Sequence, residues 1–280
     1  LVRRRIAARM RACGVHNYQE YVRFLDQHPE EMELLLDALT INVTKFFRNP
    51  ETWTWLGAHL LPELLSARAG RLRVWSAGCA SGEEPYTVLM LVAMVLDRLG
   101  HPTWLDRCHV DATDIDRASL DRARNGRYDP RAFSDADPAV PARFCRPAEN
   151  GELEVLPALR AQIEVRRLDL TSESPPVGQY DLICCRNVVI YFDRPTQERL
   201  MHLFADALGP DGVLVLGKVE TILGGARSRF ELVEPRERVI GLGHPQLQEG
   251  VHLVDARHAA PRSRVEVYAR DERRGIRIGP

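Results

Sequence analysis

Along residues 1–45 the apolar positions recur at helical spacing: Val2, Ile6, Met10 and Cys13 share one stripe, flanked by Arg5 and Arg9 and by Arg3, Arg4 and Arg11. This helix ends near Gly14. Further helices are predicted over residues 18–27 and 30–39, the latter after Pro29, whose fixed φ suits a first helical turn. The three form a small helical subdomain, 1–45. Another helix is expected over 52–65, stopped by Ala69-Gly70, and then the period changes. Strands at 71–76, 108–113, 163–168, 180–186 and 212–216 are interleaved with helices at 84–99, 117–125 and 195–208. Such alternation predicts an α/β domain, 46–243, built on a parallel sheet. Residues 126–157 break the rhythm with Pro, Gly, Asp and Arg, and exceed the ~2–6 residues of an ordinary βα connection. A small inserted subdomain or lid, spanning about 126–160, is expected there. Two final runs, 230–233 and 239–242, flank Pro235-Arg236 and predict an edge hairpin. Residues 244–280 show no helical period and form an unassigned tail; no internal repeat is present.

Composition narrows the class. A chain of 280 residues, 45% hydrophobic, holds one large α/β domain and an appendage. The longest apolar run, 88–96, is about half of the ~20 residues that cross a bilayer, and no basic leader precedes it. A soluble protein without membrane insertion is expected. The six cysteines include no C-x-x-C pair, and Cys184-Cys185 lie inside an apolar strand. They indicate a reduced cytoplasmic setting with thiols acting as small hydrophobes, and no metal site is expected. The net charge of −1 argues against bulk nucleic-acid affinity. The basic first helix stands apart from that average. Since the chain opens on Leu in mid-helix, the N-terminal subdomain reads as a truncated piece.

Chemistry concentrates in RLRVWSAGCASGEEPY (residues 71–86), a strand running into a small-residue turn and a helix that opens with Glu83 and Glu84. Phosphate loops keep that helix N-terminus free for an anion; two acids there repel one. The expected ligand is therefore a nucleoside carrying positive charge, and S-adenosylmethionine fits. The small residues of the turn, Gly78 among them, let backbone approach it. Asp114 ends the second strand, where a carboxylate can accept from both ribose hydroxyls; this marks a nucleoside rather than one cofactor. Asp116, two residues on, suits a helix cap. Arg186 and Asn187 end the apolar strand DLICC and must face either the crevice or a pairing partner on a nearby loop. Tyr191 follows four residues later, where its hydroxyl can reach the same crevice, although a tyrosine beside Phe192 alone would read as core.

The segments NVTKFFR (42–48), VWSAGCASGEEPY (74–86), ATDID (112–116), DLICCRNVVIYFD (181–193) and LGPDGVLVLGKVE (208–220) together resemble the chemotaxis receptor methyltransferases, the CheR family. The resemblance covers about residues 1–242. It implies a class I methyltransferase fold with a seven-stranded sheet and antiparallel edge hairpin. It also implies transfer of methyl from S-adenosylmethionine to receptor glutamates, leaving S-adenosylhomocysteine. By resemblance Glu84 holds the ligand ammonium, while Glu83 suits the helix N-terminus. Asn42, Thr44 and Arg48 wrap over the ligand, with Arg48 pointing into the active site and Tyr191 near the transferred methyl. Asp169 and Leu170 stand where the resembling enzymes have Asn-Leu beside the adenine; Asp keeps an acceptor and loses a donor. The basic first helix would face the cytoplasmic helices of the receptor. The segment FCRPAENGEL (144–153) is short and lacks a glycine pair at its tip, so gripping of a receptor tail peptide is not expected. A glutamate with pKa near ~4.3 is already ionised at neutral pH, so the reaction asks for no general base. Two rival readings stay open at this point: a non-catalytic scaffold that binds the cofactor, and a methyltransferase of small carboxylic acids.

Overall fold

Three short helices open the chain, α1 (Val2–Ala12), α2 (Tyr18–Gln27) and α3 (Pro29–Leu39). In the computed structural model, residues 2–39, 44–176, 178–222, 224–232, 252–256 and 264–266 are described. Asn17 caps α2 by accepting from the Glu20 N–H at 2.9 Å. Met10, Tyr21 and Leu35 make a small core, flanked by Ile6, Cys13, Val15 and Leu25. Arg9, expected on a solvent-facing basic flank, instead turns inward: its Nε donates to Glu31 Oε1 at 2.9 Å, and the Tyr21 hydroxyl donates to the same oxygen at 2.7 Å. Burial of Glu31 makes this pairing obligatory, because a lone carboxylate in an apolar cluster is costly. Arg3 and Arg11 remain exposed.

The Arg9 hydrogen bonds pull the Glu31 pKa down to about 2, against the opposing effect of burial. A carboxyl depressed below its unfolded value stabilises the fold above pH ~4.3, and that stabilisation is lost as pH falls toward 2. We expect Glu31→Gln to lower amide protection in α1 and α3 at pH 7 by roughly thirtyfold, about 2 kcal/mol. Unchanged protection in hydrogen exchange on the full chain would show that the pair contributes nothing.

After α4 (Pro50–Trp55), a π-helical turn and α5 (Leu61–Ala67), the chain enters the alternating region. Its elements are β1 (Leu72–Ala77), α6 (Glu83–Arg98), β2 (Cys108–Asp114) and α7 (Arg117–Asn125). An insertion follows, with β3 (Arg127–Tyr128), α8 (Ala139–Phe144), β4 (Cys145–Pro147), β5 (Leu153–Val155) and α9 (Pro157–Arg160). The sheet resumes through β6 (Ile163–Arg167), β7 (Tyr180–Cys185), α10 (Arg194–Ala207) and β8 (Leu208–Leu216), then β9 (Glu231–Leu232), β10 (His252–Ala256) and β11 (Arg264–Glu266). The strand order is β6-β2-β1-β7-β8-β10-β11-β9, parallel from β6 through β8. The chain builds outward from β1 to β6 and then returns to β7 on the other side of β1. That reversal leaves a crevice at the carboxyl ends of β1 and β7.

Alternation along the strands sorts the core. Leu72, Val74, Leu182, Cys184, Val213 and Val215 pack on the α6 face, and Trp75, Ala77, Ile183, Cys185, Leu214 and Leu216 on the α10 face. The cysteines behave as small hydrophobes, and none of the six forms a disulfide. No described helix is long and apolar enough to cross a membrane.

Two expectations change. The strand antiparallel to β8 is β10, from the segment left unassigned as a tail, and among the described residues the sheet has eight strands. Of the predicted hairpin, residues 230–232 are seen, with β9 parallel to β11, and 239–242 lie outside the described residues. The insertion is a second, three-stranded sheet, β3-β5-β4, anchored by aromatic packing. Phe46 stacks on Phe133 with centroids 3.9 Å apart and meets Tyr128 edge-on at 4.8 Å. Glu154 ties this sheet together by accepting from Arg146 and Arg160 at 3.0 and 2.9 Å.

Candidate active site

The turn after β1 is shaped by one backbone necessity. Gly78 has φ 86°, and a Cβ there would lie 2.4 Å from the Val188 side chain. Its N–H and that of Cys79 both donate to the Thr113 carbonyl, at 2.8 and 2.9 Å, so the turn is moored to the end of β2. Asp114 completes the mooring. Its Oδ2 accepts from the Ala80 N–H at 2.8 Å and its Oδ1 from the Asp116 N–H at 3.0 Å. Burial raises the Asp114 pKa, and these two bonds work against the rise. Asp116 itself caps α7, accepting from the Ala118 and Ser119 backbone.

The two glutamates at the head of α6 separate in role. Glu83 is buried, with both oxygens taken by the Ser81 hydroxyl at 3.0 and 2.8 Å, and shapes the helix start. Glu84 faces the crevice. Its Oε1 accepts from the Ser76 hydroxyl at 2.8 Å, and its Oε2 lies 3.9 Å from Arg186 Nη1, beyond hydrogen-bond reach. Burial pushes the Glu84 pKa up; the charges of Arg186 and Arg48 and the Ser76 bond pull it back.

Arg186 ends β7 and does both things open to it. Its Nη2 donates to the Arg48 carbonyl at 2.9 Å and to Asn49 Oδ1 at 3.0 Å, and its guanidinium stacks 4.9 Å above the Trp53 ring. It thereby latches the segment 44–49 onto the sheet while its other edge faces Glu84. Burial lowers its pKa, against the opposing pull of Glu84. Arg48 and Thr44 are half-buried on that segment, which Phe46 and Phe47 pin through N–H bonds to the Ala132 carbonyl and the Thr87 hydroxyl, both 3.0 Å. The Arg48 charge acts on both Glu84 and Arg186. Asn42 lies outside the described residues.

Asn187 takes a left-handed conformation, φ 61°, and its Oδ1 is buried without a hydrogen-bond partner. A buried acceptor in that state fits a ligand donor. The cradle that a Cβ at Gly78 would fill, the Glu84 and Asp114 carboxylates and the waiting Asn187 oxygen are together a set of acceptors. They suit a cationic nucleoside, so the residues present fit S-adenosylmethionine: Glu84 and Asn187 for an ammonium, Asp114 for ribose hydroxyls.

Other expected residues sit differently. Asp169 follows β6, but Thr171 donates to its Oδ1 through N–H (2.8 Å) and hydroxyl (2.7 Å), and Ser172 to its Oδ2 at 2.9 Å. Burial opposes its ionisation, yet these bonds outweigh it and lower its pKa. The carboxylate is thus turned back on its own loop, and Leu170 is buried in the α10-side core. Tyr191 stands on a single 3₁₀ turn, Val189–Tyr191, with its side chain well exposed rather than packed as core. Sequence reasoning missed Ser76, Tyr128, whose hydroxyl holds the Ser81 carbonyl at 2.7 Å, and above all Glu220, a buried carboxylate behind the loop that follows β7. The one signal for Glu220 was its place at the end of LGPDGVLVLGKVE. Among the described residues one group, His109, Asp111 and Glu164, has metal-ligand atoms within 4.8 Å of one another. It lies mid-strand, and Glu164 is already held by Arg166 at 2.8 Å.

Comparison with known proteins gives the same picture from outside. Residues 42–239 match the CheR methyltransferase SAM-binding domain, and residues 1–40 the CheR methyltransferase all-alpha domain. The chemotaxis protein methyltransferase of Borreliella burgdorferi is 32% identical over 237 residues, 82% of this chain and 83% of that protein. That of Escherichia coli is 34% identical, covering 79% and 76%, and that of Listeria innocua 38%, covering 74% and 78%. With a SAM-binding sheet behind an acid-lined crevice and a helical N-terminal unit, the chain belongs to the CheR methyltransferase family.

Proposed function

We propose that this methyltransferase esterifies glutamate side chains on the cytoplasmic helices of chemoreceptors. The observation that carries it is the pairing of opposite charges around one crevice: Glu84, facing a cationic donor, lies within the field of Arg48, which suits an anionic acceptor. The names of the relatives, chemotaxis protein methyltransferases, support the receptor as acceptor. Bound S-adenosylmethionine supplies a methyl on a sulfonium; as the acceptor oxygen bonds to carbon, the C–S electron pair returns to sulfur and S-adenosylhomocysteine is left.

This chain's residues orient rather than exchange protons. Glu84 and Asn187 hold the ammonium end, Asp114 the ribose, and the turn at Gly78 lets backbone close on the ligand. Asp169 retains a lone pair on Oδ2 for the adenine amino group, with Leu170 behind it. Thr44 closes the segment over the ligand. Arg48 pairs with the incoming carboxylate, and Tyr191 guides it from the rim. Since the acceptor arrives ionised, no group has to remove a proton. Partial cancellation of opposite charges in the transition state means that alignment and exclusion of water do most of the work.

The domains divide accordingly: 1–45 meets the receptor, with Arg3 and Arg11 as exposed cations among the described side chains of its first helix; 46–243 performs transfer; 126–160 braces the turn after β1. No receptor-tail role is assigned to the short β4–β5 turn. We place the reaction in the cytoplasm, where the free thiols are stable. The test is incubation with methyl-labelled S-adenosylmethionine and a receptor cytoplasmic fragment. Base-labile label on the fragment, abolished when its acceptor glutamates are changed to alanine, is the expected result. Ligand binding without ester would make the protein a scaffold, and turnover with no protein present would make it an enzyme of small acids.

A further inference from the structure

The carboxylate of Glu220 is 2% exposed and accepts backbone N–H groups from two chain segments at once. Oε2 takes Gly217 at 2.6 Å and Asn187 at 2.8 Å; Oε1 takes Val188 at 2.8 Å, Val189 at 2.7 Å and, at 3.4 Å, Ile190. Four consecutive amides converging on one carboxylate form an anion nest, filled here from within the chain. They need it. Asn187 leaves β7 in a left-handed conformation, so the ladder no longer serves these amides, and the first N–H groups of the 3₁₀ turn have no partner within it. The same clamp fixes the lip of the crevice, where Ile190, Tyr191 and Val219 are 43%, 59% and 69% exposed.

We propose that Glu220 is a positioning residue for methyl transfer. It locks the segment 187–191 so that the Asn187 amide faces the cofactor side and Ile190 and Tyr191 face the acceptor. The proposal rests on the function given above and adds a residue that touches neither cofactor nor acceptor. Glu220→Gln keeps the volume but sets an NH₂ against amide donors. Gly217→Ala attacks the clamp from the opposite side, because its Cβ would lie 2.7 Å from Glu220 Oε2 and 2.8 Å from the Asn187 nitrogen.

Both variants are expected to lower kcat for ester formation about fiftyfold and raise KM for the receptor fragment, while the Kd of S-adenosylhomocysteine changes less than about fivefold. Hydrogen exchange of residues 187–191 should speed up, with β1, β2 and α6 still protected. Turnover within twofold of wild type in the folded variants would overturn the proposal. So would loss of protection throughout the sheet in both, which would make Glu220 a folding residue. Wild-type enzyme run in parallel separates the two questions: absence of ester there refutes the proposed reaction, whereas the exchange readout tests the clamp by itself.

Discussion

Glu84→Gln is expected to weaken S-adenosylhomocysteine binding by about a hundredfold while the sheet stays folded. The fold survives because what Glu84 gives its neighbours is modest and replaceable. The Ser76 hydroxyl can still donate to a glutamine oxygen, and Arg186 keeps the Arg48 carbonyl, Asn49 and the Trp53 ring. What disappears is the largely buried negative charge that the proposed function sets against a ligand ammonium. A charge-assisted pair of that kind is worth about 3 kcal/mol, and its loss leaves the ammonium desolvated against a neutral amide. The pH dependence carries the same sign. Burial holds the Glu84 pKa above the ordinary carboxylate range, so on acidification the side chain neutralises earlier than a surface glutamate would. Affinity should therefore be full above that raised pKa and fall as pH drops through it. Asp114, raised by burial too, adds to the same acid limb. Calorimetry between pH 4 and pH 8 should show a falling acid limb for wild type and a shallower one for Glu84→Gln. Equal affinities of the two proteins at pH 7 would remove Glu84 from the site.

How much of this was visible before the structure depends on how local the cause is. The strands and helices of the sheet were legible because each buries a face with its own period. Leu72, Val74 and Cys184 meet one layer, Trp75, Ile183 and Cys185 the other. The place of Glu84 was legible because its position relative to β1 follows from a single strand–turn–helix unit. Arg186 was half legible: burial cost demanded a partner, but which of two solutions applied depended on a loop 137 residues earlier in the chain. The strands of the insertion and β10 were hidden for a different reason. Two- and three-residue strands have no measurable period, and β10 pairs with β8 across 35 intervening residues that carry no turn signal linking them. The intraloop bonds of Asp169 follow from its own neighbours: Thr171 and Ser172 are standard partners for an aspartate turning back on its loop. Apart from its place at the end of LGPDGVLVLGKVE, Glu220 was hidden because a glutamate after a strand normally reads as surface, and nothing local says that four amides from residues 187–190 will close on it.

Arg48→Ala is expected to cut the rate of ester formation about a hundredfold with the Kd of S-adenosylhomocysteine unchanged within threefold. The proposed function divides two jobs between the backbone and the side chain of this residue. Its carbonyl, not its side chain, receives the Trp53 indole N–H and the Arg186 guanidinium, both at 2.9 Å, so truncation leaves the segment 44–49 latched. Phe46 and Phe47 hold it independently through the Ala132 carbonyl and the Thr87 hydroxyl. On the cofactor side two small effects oppose each other. Removing the cation lets the Glu84 pKa rise, which weakens ammonium binding, but it also removes a positive charge from the neighbourhood of a cationic ligand. On the acceptor side nothing compensates. A carboxylate without its guanidinium loses both attraction into the crevice and the bidentate fork that fixes its oxygens, and misplacement by about 1 Å costs on the order of a hundredfold. Arg48→Lys should recover part of the rate, since it keeps the charge and loses the fork. Tyr191→Phe, which removes one polar contact at an exposed rim, should cost less, about tenfold, again with cofactor affinity intact. Single-turnover measurement of ester formation at saturating S-adenosylmethionine distinguishes these steps. If Arg48→Ala turned over at the wild-type rate, or lost cofactor and turnover in equal measure, the acceptor would be held by some other cation and the charge division across the crevice would have to be redrawn.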